Sequence, residues 1–418
     1  AMPREIATEV QLMIQTLGIH SRLTESGLMV EGREFKELVD LGANPKTGLI
    51  TKALTPVKVT EVVDNGRTDD TYCFTEEKRH MGMFNGLLTG QCLEILLPAS
   101  PMQFFNDPSG EIFLCTLANI NMGTVKIEDL QRVCYNTVRY LDDLLDYQDY
   151  PTESARFWAT KRRALGIGIN NYAYWLARQS LKYGEKEALE KTHEYMEAMQ
   201  YWLIDASAEI AKEKGRCELF DDTKYSQGIL PCDAGAYKED VDTLGDFELK
   251  MDWEALREKV KEHGMRNSTL SAIPPSETSS QVIKHGATNS VEQARALITR
   301  RSNKDISGKT MVPELTRLKN KYDLLWDHAS PEGYLFTIAV IQKWVDQSIS
   351  ANFSYNPRLW ENGDIPMSQM VRDLLMAYKY GLKTGYYHNT NKESGISEDE
   401  AQENPDDAMG CEGGGCDV

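Results

Sequence analysis

The chain has 418 residues, 41% hydrophobic and 26% charged, with 30 Gly and 15 Pro, a globular composition with enough length for two or three cores. Its formal charge of −18 argues against a broad nucleic-acid footprint, which needs a basic face, but not against an anionic small substrate held by a few amides and hydroxyls. No apolar run approaches the roughly 18 residues of a spanning helix. The start, Ala1-Met2-Pro3-Arg4-Glu5, has no apolar core of a secretion signal, so a soluble, cytoplasmic protein is expected.

Residues 1–91 read differently from the rest. Helical spacing over 5–22 (Ile6, Val10, Met13, Ile14, Leu17) gives way to short β-prone runs between Gly, Asn and Asp turns, among them Leu28-Met29-Val30, Val57-Lys58-Val59 and Tyr72-Cys73-Phe74. From Cys92 onward strands alternate with helices: a strand over 111–117, a helix over 127–147, a strand at 165–169 and a long helix over 186–214. A strand over 268–273, helices over 332–350 and 367–380 and a last strand over 383–388 complete the pattern. Such alternation predicts an α/β fold with a largely parallel sheet or barrel. Residues 394–418 are acidic and Gly-rich, the composition of a mobile tail.

Eight cysteines do not make a disulfide scaffold, and a cytosol keeps most thiols reduced. Cys73, Cys134, Cys217 and Cys232 stand alone and read as small buried apolar side chains. Cys411 and Cys416, with four residues between them in the tail, are a stray pair, a weak metal tract or a redox shuttle; no neighbouring His or Cys completes a metal set, whereas reach and access suit thiol–disulfide exchange. Cys115 lies in an apolar, strand-like run, where a thiol is shielded from water. Glu94 follows Cys92 by two, so in an extended chain both face one side. Tyr386-Tyr387 reads either as buried, stacked aromatics or as a stepwise electron and proton relay. In Pro275-Ser276-Glu277-Thr278-Ser279-Ser280 the hydroxyls and amides form either an anion cradle or an ordinary N-cap.

Taken together, Cys92-Leu-Glu-Ile, Leu114-Cys115-Thr-Leu, Arg266-Asn-Ser-Thr-Leu, Pro275-Ser-Glu-Thr-Ser-Ser-Gln281, Asp346-Gln-Ser-Ile-Ser-Ala-Asn352 and Lys383-Thr-Gly-Tyr-Tyr-His-Asn-Thr390 resemble the C-terminal half of class I ribonucleotide reductase large subunits, in that family's order. The resemblance implies half of a ten-stranded α/β barrel over 92–393 and a redox-active tail over 394–418. It implies that Cys92 becomes a thiyl radical that abstracts the ribose 3′-hydrogen, with Glu94 as general base at the 3′-hydroxyl. Cys115 would be one of two reducing thiols, and Cys411 and Cys416 would re-reduce the resulting disulfide, themselves recycled by thioredoxin or glutaredoxin. Tyr386 and Tyr387 would relay the radical from a metal-containing small subunit, and Ser276, Thr278, Ser279 and Ser280 would hold the diphosphate of a ribonucleoside diphosphate. No metal or cofactor is expected on this chain itself. The second reducing thiol and the regulatory sites belong to the family's N-terminal half, expected as a separate partner, and Gly90 stands where the family has a substrate-binding Asn. A non-catalytic remnant that only binds the small subunit is the alternative.

Reading backward from Cys92, His80-Met-Gly-Met-Phe-Asn85-Gly86-Leu-Leu-Thr-Gly-Gln91 resembles the C-terminal end of an intein, with Glu9 to Leu23 resembling a LAGLIDADG endonuclease remnant. The resemblance implies a small, mainly-β intein-like module: an endonuclease-like part over about 1–45 and a splicing part over about 50–91. Gln91 would cyclise, Cys92 would accept the partner chain in trans-splicing and His80 would act as acid/base group. Gly90 in place of the usual penultimate His, and Gln91 in place of Asn, depart from that pattern. The plainer reading of residues 1–91 is a docking domain.

Overall fold

The computed structural model describes residues 21–24, 27–30, 81–84, 87–90, 93–101, 107, 110–114, 116–150, 152–233, 235–283, 286–302 and 307–391. The chain divides into two compact units, Ala1–Gln91 and Cys92–Val418.

In the first unit, β1 (Ser21–Thr24) pairs antiparallel with β2 (Gly27–Val30), and β3 (Met81–Phe84) with β4 (Leu87–Gly90). The register sets Phe84 opposite Leu87, so Asn85-Gly86, the dipeptide most favourable to a two-residue hairpin connection, joins the strands. The helical reading over 5–22 is corrected at its end, because Ser21 and Arg22 are ladder residues. Residues 5–20, 57–59 and 72–74 lie outside the described residues.

The second unit runs β5 (Thr116–Asn121), α1 (Leu130–Tyr147), α2 (Glu153–Arg162), β6 (Leu165–Asn170), α3 (Tyr172–Gln179) and α4 (Lys186–Lys214). It continues with α5 (Ala236–Asp242), α6 (Trp253–His263), α7 (Glu277–Gln281), β7 (Ile298–Ser302), β8 (Ser307–Met311) and α8 (Leu315–Leu318). Last come α9 (Glu332–Gln342), β9 (Phe353–Tyr355), α10 (Met367–Lys379) and β10 (His388–Thr390). β5 pairs parallel with β6, and single parallel bridges continue the series at Ile167↔Ser271 and Ile273↔Ile349. β9 and β10 are also parallel; within this unit only the β7–β8 hairpin is an antiparallel ladder among the described residues. The expected parallel α/β character is therefore present. No described helix is long and apolar enough to cross a membrane.

Where helices carry one apolar stripe, sequence and structure agree. α1 buries Leu130, Cys134, Val138, Leu141 and Leu145, one face of a 3.6-residue repeat, and each such fully buried aliphatic contributes about 1.5–3 kcal/mol. α4 matches its expected 186–214 span; its buried polar groups are all engaged, with Glu197 accepting from the amides of Lys250 and Met251 and from Trp253 Nε1. Cys134 and Cys217 are buried, as expected of structural thiols, and Cys232 is half-buried; burial pushes the Cys217 thiol up to about 12.

Expected and observed strands differ where side chains outcompete the ladder. The strand expected over 111–117 begins only at Thr116, because Glu111 is held aside by two bonds from Arg162 (3.0 and 3.1 Å) and one from Ser100 N. Residues 268–273 make bridges rather than a full strand, the Leu270 amide donating to the Asp346 side chain at 2.7 Å. The helix expected over 332–350 stops at Gln342, whose Nε2 donates to the carbonyls of Val345 (3.3 Å) and Gln347 (3.1 Å) and turns the chain back. The last strand is His388–Thr390 rather than 383–388.

α2 ends on Arg163 in the left-handed region (φ 48°), where glycine is usual. Asp142 and Asp146 hold this strained arginine through Nε at 2.6 Å and NH1 at 2.8 Å. Asp142, itself 0% exposed, also receives Arg266 Nε at 3.2 Å and Asn267 Nδ2 at 3.3 Å. This polar knot ties α1 to the segments following α2 and α6.

Candidate active site

The extended segment that follows α9 is the hub of the site. Ile273 N donates to Ser348 O and Ser350 N to Ile273 O, both at 3.0 Å, joining the hub to the segment leading into α7. On its other side Ser348 N donates to Glu94 O at 2.9 Å, and Leu96 N to Gln347 Oε1 at 3.2 Å. Thr384 closes the arrangement through its hydroxyl, donating to Leu93 O at 2.7 Å. Residues from three distant stretches thus meet along one short segment.

Glu94 is 1% exposed and accepts from Ser350 Oγ at 2.7 Å through Oε2. Burial pushes its carboxyl above the usual range, and the Ser350 bond pulls it partly back. A desolvated carboxylate whose proton affinity is raised by burial is suited to take a proton from a substrate hydroxyl.

The hydroxyl-rich turn follows Ile273, the residue bonded to the hub at Ser348 and Ser350. Gly168 of β6 lets the chain cross: a Cβ there would stand 2.7 Å from Ala272 O and 2.8 Å from Pro274 Cδ. Ser276 takes a left-handed conformation (φ 58°) and makes no side-chain cap bond, its hydroxyl pointing back to Pro274 O at 3.3 Å. The ordinary N-cap reading is therefore not what Ser276 does. The amides of Thr278 and Ser279 fall in the first turn of α7, where a helix supplies no acceptor. Asn119 Nδ2 donates to Ser279 Oγ (3.4 Å) and Ser280 Oγ donates to Asn289 Oδ1 (2.8 Å), so the turn is tied to β5 on one side and to the 289 loop on the other.

Tyr386 and Tyr387 are both buried, their ring centroids 3.9 Å apart at 41°. Tyr386 N donates to Ala351 O and Phe353 N to Tyr387 O, each at 2.7 Å, so the tyrosine pair is fastened to the hub next to Ser350.

Glu94, the 276–280 turn and the tyrosine pair are thus brought together. Cys92, Cys115, Cys411, Cys416, His80, Gln91 and the Thr278 side chain lie outside the described residues. Sequence reading assigned no role to Ser350, Asn352, Asn119 or Glu292; Ser350 and Asn352 stand within the Asp346–Asn352 string, which was a signal without a role attached. Among the described residues no cluster of three or more His, Cys, Asp or Glu could hold a metal ion.

Residues 87–388 match the family model described as ribonucleotide reductase, barrel domain. The chain belongs to this ribonucleotide reductase family. Over 330 residues it is 48% identical to the ribonucleoside-diphosphate reductase subunit alpha of Haemophilus influenzae, covering 78% of this chain and 42% of that protein. The corresponding subunit of Buchnera aphidicola subsp. Baizongia pistaciae is 50% identical over 300 residues (72% of this chain, 39% of that one), and that of Enterobacteria phage T4 is 41% identical over 326 residues (77% and 42%). The chain thus spans about two-fifths of the length of these curated relatives. The match to the reductase barrel begins within β4 and takes in the whole hub.

Proposed function

We propose that this chain is the catalytic barrel portion of a ribonucleoside-diphosphate reductase, converting ribonucleotides to deoxyribonucleotides. The observation that carries the reading is the buried Glu94 carboxylate, bonded to Ser350 on the segment that also anchors the tyrosine pair and the hydroxyl-rich turn. In this reading a Cys92 thiyl radical takes the 3′-hydrogen, Glu94 takes the 3′-hydroxyl proton, and the 2′-hydroxyl leaves as water with a proton from a reducing thiol; Cys92 finally returns the hydrogen to the 3′-carbon and is a thiyl again. Cys115 and a thiol from the N-terminal portion of the subunit deliver two electrons and become a disulfide, which Cys411 and Cys416 reduce by exchange; thioredoxin or glutaredoxin restores them. A separate small subunit with its own metal cofactor supplies the radical through Tyr386 and Tyr387. The exposed apolar residues Met367, Val371, Leu375 and Tyr378 of α10, shortly before the tyrosines, offer that subunit a surface to cover.

Cys92→Ala in the complex reconstituted with the N-terminal portion and small subunit is expected to abolish nucleotide reduction while nucleoside diphosphate binding, followed by equilibrium dialysis, stays within about twofold. Loss of binding together with turnover would make Cys92 a structural residue and remove the thiyl assignment.

A second reading concerns residues 1–91: a splicing module in which Gln91 cyclises, His80 assists and Cys92 accepts the partner chain. It is favoured by the β3–β4 hairpin immediately before Gln91 and by a unit boundary between Gln91 and Cys92. Intact mass after mixing with the N-terminal reductase portion tests it. Loss of residues 1–91, with a new peptide bond at Cys92, is the expected result; a stable complex of unchanged mass would make the first unit a docking domain.

A further inference from the structure

Adjacent side chains on a regular strand point to opposite faces, yet Tyr386 and Tyr387 are sequence neighbours with ring centroids 3.9 Å apart. The ladder explains how. From Phe353 onward β9 and β10 are in regular parallel register: Phe353 N donates to Tyr387 O, His388 lies opposite Phe353, and Asn391 N donates to Tyr355 O. Continuing that register backward would give the Ala351 carbonyl to Tyr387 N. Instead Tyr386 N takes it at 2.7 Å, so the tyrosine strand holds one extra residue at this point, a β-bulge. Tyr387 N donates to a side chain, Asn352 Oδ1, at 3.1 Å. The other end of that amide is fixed in turn: Asn352 Nδ2 donates to Glu292 Oε1 at 3.1 Å, and Tyr334 OH donates to the same oxygen at 2.9 Å.

Each part is held in one orientation. Tyr334 is 4% exposed and its ring lies 6.1 Å from that of buried Tyr183. Glu292 follows Val291, whose carbonyl accepts from Tyr183 OH at 3.0 Å. Two donors on one carboxylate oxygen keep Glu292 pointed at Asn352, and a carboxylate acceptor decides which end of the Asn352 amide faces it. The carbonyl end is then left facing Tyr387 N.

We propose that Asn352 and Glu292 are positioning residues of the radical relay: they pin the bulge that places the two tyrosine rings together. The inference rests on the reductase reading for its functional part only. Both act through the backbone of Tyr387. A misplacement of reacting groups by about 1 Å can cost near 10²-fold.

The test compares Asn352→Ala, Glu292→Leu and Glu292→Gln in the full chain and in the reconstituted complex. Glutamine keeps an acceptor oxygen for Asn352 and Tyr334, so it is the rescuing variant. Hydrogen exchange at the Tyr387 amide, read by mass spectrometry, should accelerate at least about tenfold in Asn352→Ala and Glu292→Leu and stay near the parent value in Glu292→Gln. In the complex, kcat should fall about 10- to 100-fold in the first two, with KM for the nucleoside diphosphate within about twofold, and recover in Glu292→Gln. Unchanged exchange in Asn352→Ala overturns the bulge assignment. Faster exchange with unchanged kcat, or a KM that rises in parallel, overturns the positioning role. Exchange that follows the expected pattern while the parent complex reduces no nucleotide would support the pinned bulge and count against the reductase reading instead.

Discussion

Replacing Glu94 by Gln is expected to lower nucleotide reduction by about 10²–10⁴-fold, the range that a positioned general base contributes. Glutamine fills the same buried space and still accepts from Ser350 Oγ, so only the capacity to take a proton is removed. The pH profile gives a second readout. Burial raises the Glu94 carboxyl and protonation disables it as a base, so activity of the parent should fall with falling pH along a limb above the ordinary carboxylate range. Glu94→Gln should lack that limb. Ser350→Ala removes a donor that favours the charged form, so it should move the limb to higher pH. Stability runs the other way: a carboxyl raised in the folded state binds its proton more tightly there, so its contribution is present below the unfolded pKa and is lost as pH rises through the folded value. At neutral pH Glu94→Gln should therefore fold at least as well as the parent, and a urea titration separates lost chemistry from lost structure. A variant with parent-like turnover and an unchanged acidic limb would remove Glu94 from the reaction.

The largest expected effect on stability is at Asp142. Its carboxylate receives Arg163 Nε at 2.6 Å, Arg266 Nε at 3.2 Å and Asn267 Nδ2 at 3.3 Å, and Lys214 Nζ lies 3.5 Å away. Asp142→Ala leaves the buried Arg163 guanidinium with Asp146 as its remaining carboxylate among these contacts. Breaking a buried pair from one side costs about 3–5 kcal/mol, because the remaining charge stays desolvated. Asp146→Ala serves as the comparison: that carboxylate is 53% exposed although bonded to the same arginine, and solvent screening limits its loss to roughly 1 kcal/mol or less. Urea midpoints for the two variants at neutral pH read the difference directly. Equal losses would mean that burial is not what gives the Asp142 cluster its weight.

Much of this protein was legible before any coordinates. α1 and α4 could be placed because an apolar stripe at helical spacing is a local property, written within 18 and 29 consecutive residues. The β3–β4 hairpin was not among the expected strands, although Asn85-Gly86 carries that conformational preference by itself. The order of the cysteine, glutamate, hydroxyl and tyrosine motifs pointed to the reductase family that the comparisons then showed.

What the sequence could not state is which polar group answers which. Glu94 and Ser350 are 256 residues apart, Asn352 and Glu292 60, and Asp142 and Arg266 124. No periodicity records such distances. They are decided by which strands pass each other once the apolar faces are buried, and a buried polar atom must then bond to whatever arrives. The same reason explains the strands that began late or broke into bridges: the Glu111 side chain took the Ser100 amide and the Asp346 side chain the Leu270 amide, backbone donors of the kind a regular ladder uses. The sequence determined the long amphipathic helices and the chemical inventory. Only the tertiary structure decided that Ser350 tunes Glu94, and that a single extra residue in one ladder brings two neighbouring tyrosines onto the same side.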